Sequence, residues 1–256
     1  MNRALFNRHV RRLHLWFGLA IGAQVGLWLI SGLFMTWFPI ENVRGDHLKS
    51  ELQIQTLDGL DGELTPADIL SATNIEPNFM TLKTLNGDLV WVLETDDTTY
   101  LVNGETGEFL SPLSKSLAEN IARVHYAGKG QIGSAVYYEN APREYGRKGP
   151  VWKVDFTKPQ AASFYIDAST ADVKAVRTGL WRTFDLMWGL HIMDWKQRDN
   201  FNSWWIKMTA SLAVLFFISG LILVFLKTGL MFRRRQRSGP KAEQRAGIFN
   251  LDKAKK

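Results

Sequence analysis

Leu15-Trp16-Phe17-Gly18-Leu19-Ala20-Ile21-Gly22-Ala23-Gln24-Val25-Gly26-Leu27-Trp28-Leu29-Ile30-Ser31-Gly32-Leu33-Phe34-Met35-Thr36-Trp37-Phe38 runs for 24 residues without a formal charge. A second apolar stretch, Trp204–Leu226, has 23 residues, and Lys207 near its first end carries its one charge. At about 1.5 Å of rise per helical residue, either stretch covers a hydrocarbon core of roughly 30 Å. The sequence therefore predicts two transmembrane helices, over residues 13–38 and 204–227, enclosing residues 39–203.

Charge gives the orientation. Arg3, Arg8, Arg11 and Arg12 precede the first span, and Lys227, Arg233, Arg234, Arg235 and Arg237 follow the second. The positive-inside rule places both clusters, and hence a basic N-terminus (1–12) and a basic tail (228–256), in the cytoplasm. Residues 39–203 carry 23 acids against 16 bases, whereas the rest of the chain carries 2 against 15. The whole-chain charge of +6 hides this split and gives no reason to expect nucleic acid. The basic ends read instead as topology signals and contacts for anionic lipid. The expected location is a bacterial inner membrane, with the acidic middle in the periplasm.

The first apolar stretch is longer than the core of a secretory signal, and Phe38-Pro39-Ile40-Glu41 offers no small-residue cleavage pattern, so an uncleaved anchor is expected. With no cysteine, disulfides, iron–sulfur clusters and thiolate metal sites are excluded.

The middle segment contains a weak internal repeat. Tyr100-Leu101-Val102-Asn103-Gly104-Glu105-Thr106-Gly107-Glu108 is echoed 64 residues later by Phe164-Tyr165-Ile166-Asp167-Ala168-Ser169-Thr170-Ala171-Asp172. Val90-Trp91-Val92-Leu93-Glu94 is echoed by Val151-Trp152-Lys153-Val154-Asp155. Each half reads as a helix followed by antiparallel strands, over 39–112 and 113–177. In the first half, Thr65-Pro66-Ala67-Asp68 is a helix start. Phe79–Leu85 and Leu89–Thr95 read as a hairpin through Asn86-Gly87-Asp88, with Thr98–Val102 as a third strand. In the second half the expected helix is Leu117–Tyr126 and the strands are Ala135–Glu139, Val151–Phe156 and Ser163–Ile166. Gly128–Gly133 and Ala141–Gly149 read as loose connectors. The fold class is thus an α+β membrane protein, two spans flanking a domain of two helix-plus-antiparallel-sheet repeats.

Between the second repeat and the second span, residues 178–196 predict an amphipathic helix. Phe184, Trp188, His191 and Trp195 share one face, while Arg177, Arg182 and Asp185 supply polar surface, so the helix is expected along the membrane boundary.

Candidate chemistry lies with a few residues. His14, Gly18, Gly22 and Gly26 recur every fourth position and form one row along the first span. Two readings are open: a seam that admits a homodimer or a partner membrane subunit through the Gly18/Gly22/Gly26 face, or His14 as an axial haem ligand with glycines making room for the porphyrin. His191 is either an imidazole solvated at the interface or a haem-iron ligand, and His125 is a third candidate. About 36 Å of helix separates His14 from the outer end of its span, so His14 and His191 cannot hold one iron within a chain. Phosphate loops, zinc pairs of the His-Glu-x-x-His type and nucleophile elbows are absent from the sequence.

Arg12-Leu13-His14-Leu15-Trp16-Phe17-Gly18, Ser31-Gly32, the Tyr100–Glu108 repeat and Trp188-Gly189-Leu190-His191 occur in an order that resembles the PepSY-associated transmembrane family, in a short two-span form. The resemblance implies PepSY domains outside the inner membrane. It also implies iron uptake, because larger relatives are haem-containing reductases of ferric siderophores. It carries a haem b role to His14 and His191 and makes a ferric siderophore a candidate substrate. The expected function is a haem-linked electron-transfer or siderophore-reducing component, an oxidoreductase if it is an enzyme at all. The alternative is a non-catalytic periplasmic binding module that restrains a peptidase, or an accessory subunit. The reductases have four or more spans, which this chain could match only as a dimer.

Overall fold

The computed structural model describes residues 3–50 and 64–238. The described residues fall into two compact units. One takes its residues from Met1–Ile30, His191–Trp195 and Asp199–Lys256; the other comprises Ser31–Leu190 and Lys196–Arg198.

The first unit is built on two 35-residue helices, α1 (Arg3–Trp37, its C-terminal turns lying in the second unit) and α6 (Trp204–Ser238). Within them, Leu15–Trp37 and Trp204–Ile222 are long and apolar enough to cross a membrane. Leu15, Leu19, Leu29 and Ile30 on α1, and Leu215, Phe217 and Phe225 on α6, are exposed. Gly18 meets the other helix: a Cβ there would lie 3.0 Å from Phe216 Cζ.

In the second unit, a short helix α2 (Ile40–Arg44) precedes two sheets. Helix α3 (Pro66–Thr73) starts at a capping box, in which Thr65 Oγ1 accepts from the Asp68 amide and Asp68 accepts from the Thr65 amide. Strands β1 (Phe79–Leu85), β2 (Asp88–Glu94) and β3 (Thr99–Asn103) form an antiparallel sheet in that order. Asn86 (φ 55°) and Gly87 (φ 107°) make the two-residue β1–β2 turn, both in the left-handed region that such a hairpin requires.

Helix α4 (Lys115–His125), capped by Ser114, leads into a second antiparallel sheet. Its strands are β4 (Ile132–Tyr138), β5 (Val151–Phe156), β6 (Ala162–Asp167) and β7 (Val173–Thr178). The connector expected to be loose before β4 is tight. A Cβ on Gly128 would sit 2.3 Å from the Tyr126 ring, and one on Gly130 would sit 2.2 Å from the Thr157 carbonyl. Only glycine permits those approaches.

Side-chain alternation along the strands sorts the layers. Trp91, Leu93 and Val102 lie on one face of the first sheet and pack with Ile69 of α3. Val90, Val92 and Leu101 lie on the other face and join Ala118, Ile121 and Ala122 of α4. The same cluster takes in Val154, Phe156, Phe164 and Ile166 of the second sheet. The two sheets therefore share one core, with α4 contributing to both sides. Lys83 of β1 adds a polar tie, donating to Asp172 at 2.7 Å and to the Thr170 carbonyl.

Directly after β7 comes α5 (Gly179–His191). It was expected to turn its aromatic face to a membrane and its Arg182 and Asp185 to water. Asp185 is instead ion-paired, with only 11% of its side chain exposed, because two guanidinium groups converge on it. That half of the polar-surface expectation is corrected; the position of α5 relative to a bilayer is not defined by these contacts.

Candidate functional site

The internal repeat survives as geometry in two turns. Asn103 Oδ1 accepts from the amides of Glu105 and Thr106, both at 2.9 Å. Asp167 Oδ1 accepts from the amides of Ser169 and Thr170, at 2.9 and 3.1 Å. The Gly107 amide reaches the Asn103 carbonyl, and the Ala171 amide reaches the Asp167 carbonyl. Both residues are left-handed, at φ 73° and 63°. Trp91 and Trp152 also match, lying opposite Val102 and Ile166 on the neighbouring strand. A glycine meets the left-handed requirement freely and an alanine does not, so the second turn carries strain that the first lacks.

The densest set of charges lies on the outer face of the second sheet, where Ser163, Tyr165 and Asp167 project away from α4. A 3-10 turn, Arg143–Tyr145, in the β4–β5 connection covers this face with Tyr145, which is buried with Val151, Tyr165 and Ala175. Glu144 receives a two-pronged bond from Arg182 of α5, at 3.0 and 2.9 Å, and another from the Tyr165 hydroxyl at 3.1 Å. Arg182 also donates to Ser163, which donates to Asp155 at 2.6 Å. Next to it, Arg143 grips Asp185 of α5 with two bonds, and Arg198 adds a third donor. Arg177 Nε donates to the Glu144 carbonyl, and its guanidinium lies 4.1 Å over the Trp181 ring.

Charge and burial act in opposite directions here. Burial resists ionisation of Glu144 and Asp185, but the arginine hydrogen bonds outweigh it and hold both carboxyls below their ordinary range. Burial first, and then the neighbouring carboxylates Asp167 and Glu144, push the phenols of Tyr145 and Tyr165 upward. Both tyrosines are therefore neutral donors at physiological pH. The assembly clamps α5 onto the second sheet. Its C-terminal end is held too: Trp188 Nε1 donates to the Arg198 carbonyl, and a Cβ on Gly189 would lie 2.8 Å from Arg198 Cδ.

The residues first singled out are scattered. His14 lies in α1 and its side chain is outside the described set. Gly18 meets Phe216 of α6, whereas Gly22 and Gly26 have open space where a Cβ would be. Between them, the Gln24 amide nitrogen is shielded from solvent without a hydrogen-bond partner. His125 sits at the end of α4 with Nδ1 at 2.8 Å from the Ile121 carbonyl, so Nδ1 donates and Nε2 keeps its lone pair. His191 ends α5, half-buried. Among the described residues, no group of three or more His, Asp or Glu side chains is placed to hold a metal ion. Glu144, Arg143, Arg182 and Asp185 escaped the sequence reading. The one available signal was two adjacent opposite charges, Arg143-Glu144, facing another opposite pair, Arg182 and Asp185, some 40 residues on.

No curated protein and no solved structure matches the chain. Residues 112–177, about a quarter of its length, match the family described as PepSY, peptidase propeptide and YPEB domain. The matched segment begins just before α4 and ends within β7, so the chain carries a PepSY domain made of that helix and the four-stranded sheet.

Proposed function

We propose that this is a bacterial inner-membrane protein whose PepSY unit works outside the cytoplasm as a non-catalytic binding module. The observation that carries the reading is the clamp of Glu144 and Asp185 on Arg182, Arg143 and Arg198. It commits the most polar face of the PepSY sheet to holding α5, the helix that leads towards the second apolar span. A rigid tie of that kind suits a unit that presents a surface at a fixed attachment. The exposed apolar sides of α1 and α6 support the membrane assignment, because such surface is stable in lipid and not in water. Arginine clusters at both chain ends support cytoplasmic termini. The family description makes a peptidase the first partner to try.

A second reading, haem-linked electron transfer in iron acquisition, is favoured by the open row at Gly22 and Gly26 below His14. In it, His14 and His191 bind haem b on opposite membrane faces and a ferric siderophore is the acceptor. Haem would supply one-electron chemistry. The fit is partial, since Phe216 already fills the space beside Gly18.

Affinity purification of the full chain from native membranes, with a pyridine-haemochrome assay on the same sample, separates the two. The binding reading expects a stoichiometric polypeptide partner and a colourless preparation. Haem at about one per chain, lost in His14→Ala or His191→Ala, would overturn it.

A further inference from the structure

We infer that the outer edge of β4 pairs with the same edge of a second copy of this chain, joining two PepSY sheets into one. β4 is the terminal strand of its sheet, and among the described residues no strand lies on its outer side. The opposite edge, β7, is covered by α2, where Gly45 sits against Val176. Sheet edges left open to water normally carry a charge, a proline or a covering element that blocks pairing. Ile132–Tyr138 has no charge and no proline over seven residues, and Val136 and Tyr137 are 42% and 41% exposed.

The strand is also complementary to itself. Antiparallel pairing across a two-fold axis requires one residue to face its own copy. With Ala135 at that position, all seven residues pair. Tyr137 then lies against Gly133 of the other copy, an aromatic ring over a bare backbone, and Val136 lies against Ser134. Just beyond the strand, Glu139 falls opposite Gln131, with Lys129 on the diagonal within reach of a long side chain. The two-fold makes that opposite-charge contact twice. An unrelated strand would have no reason to match both the aromatic–glycine pair and the flanking charges.

The test uses the full chain in detergent micelles, which has no cysteine of its own. Light scattering is expected to give a dimer for the natural chain. V136K, which brings like charges together across the diagonal, is expected to weaken association at least roughly tenfold, equivalent to about 1.4 kcal/mol, with the melting profile of the monomer retained. Ala135→Cys is expected to give an oxidised homodimer that disappears in the A135C/V136K double variant, while Thr84→Cys on β1 gives none. A monomeric natural chain, a dimer indifferent to V136K, or Ala135→Cys crosslinking only to a different polypeptide would each overturn the proposal.

Discussion

Arg182 of α5 and Glu144 of the β4–β5 connection are 38 residues apart and meet through two parallel bonds, Nε to Oε1 at 3.0 Å and Nη2 to Oε2 at 2.9 Å. Tyr165 and Ser163 complete the set from β6, so a helix, a turn and a strand converge on one ion pair. The PepSY unit and the helix after it are therefore expected to unfold together. Arg182→Gln should destabilise the second unit by about 1–2 kcal/mol. Glu144→Gln should cost a similar amount, and the double variant less than the sum. Urea titrations of the four proteins check this; additive effects would show that the pair is not coupled.

The two equivalent turns predict opposite responses to one atom group. Ala171→Gly should stabilise by about 0.5–1 kcal/mol, because it relieves a left-handed alanine. Gly107→Ala should destabilise by about 1 kcal/mol or more, since it adds that strain and brings a Cβ within 3.3 Å of Ala72 and Leu64. Thermal melts of the two variants suffice. Equal signs would break the equivalence of the turns.

Much of the β-structure was legible because its signals are local. Asn86-Gly87 dictates a hairpin, Thr65-Pro66-Ala67-Asp68 dictates a helix start, and Val151–Phe156 is a strand in both the sequence reading and the structure. β7 was not legible. Val173-Lys174-Ala175-Val176-Arg177-Thr178 breaks its alternation at the irregular register between Tyr165 and Ile166, and its two charges read as surface. Lys174 is in fact tied to Asp172, and Arg177 to the Glu144 carbonyl. The clamp on α5 was hidden for another reason. Arg182 and Asp185 look like the solvated side of an amphipathic helix unless the partners some 40 residues earlier are known. The histidine row of α1 could be read only as a pattern, since spacing fixes which residues share a helix face and not what covers it.

Acid should loosen the second unit. Glu144 and Asp185 titrate below their ordinary values in the fold, as does Asp172, where burial is outweighed by bonds from Lys174 and Lys83. A carboxyl with a depressed folded value stabilises the fold above its unfolded value, about 4, and loses that contribution as pH falls through the folded value. Urea midpoints should therefore hold between pH 7 and about pH 5 and drop below about pH 4. In Glu144→Gln the drop should be shallower. An identical acid slope in the variant would exclude Glu144 as a contributor.

Ile121 of α4 is fully buried in the cluster that receives both sheets. Ile121→Ala should cost about 2–5 kcal/mol. The loss should appear as one transition reported equally by Trp91 on the first sheet and Trp152 on the second. Two separated transitions would mean that the sheets have independent cores.

The membrane arrangement can be tested most directly with single cysteines in this cysteine-free chain. Thr84→Cys lies on exposed β1 and Gln236→Cys lies beyond the second apolar stretch. Intact spheroplasts are treated with a membrane-impermeant maleimide. Labelling of Thr84→Cys at once, and of Gln236→Cys only after permeabilisation, is the predicted result. Labelling of Gln236→Cys in intact cells while Thr84→Cys stays protected would contradict the account.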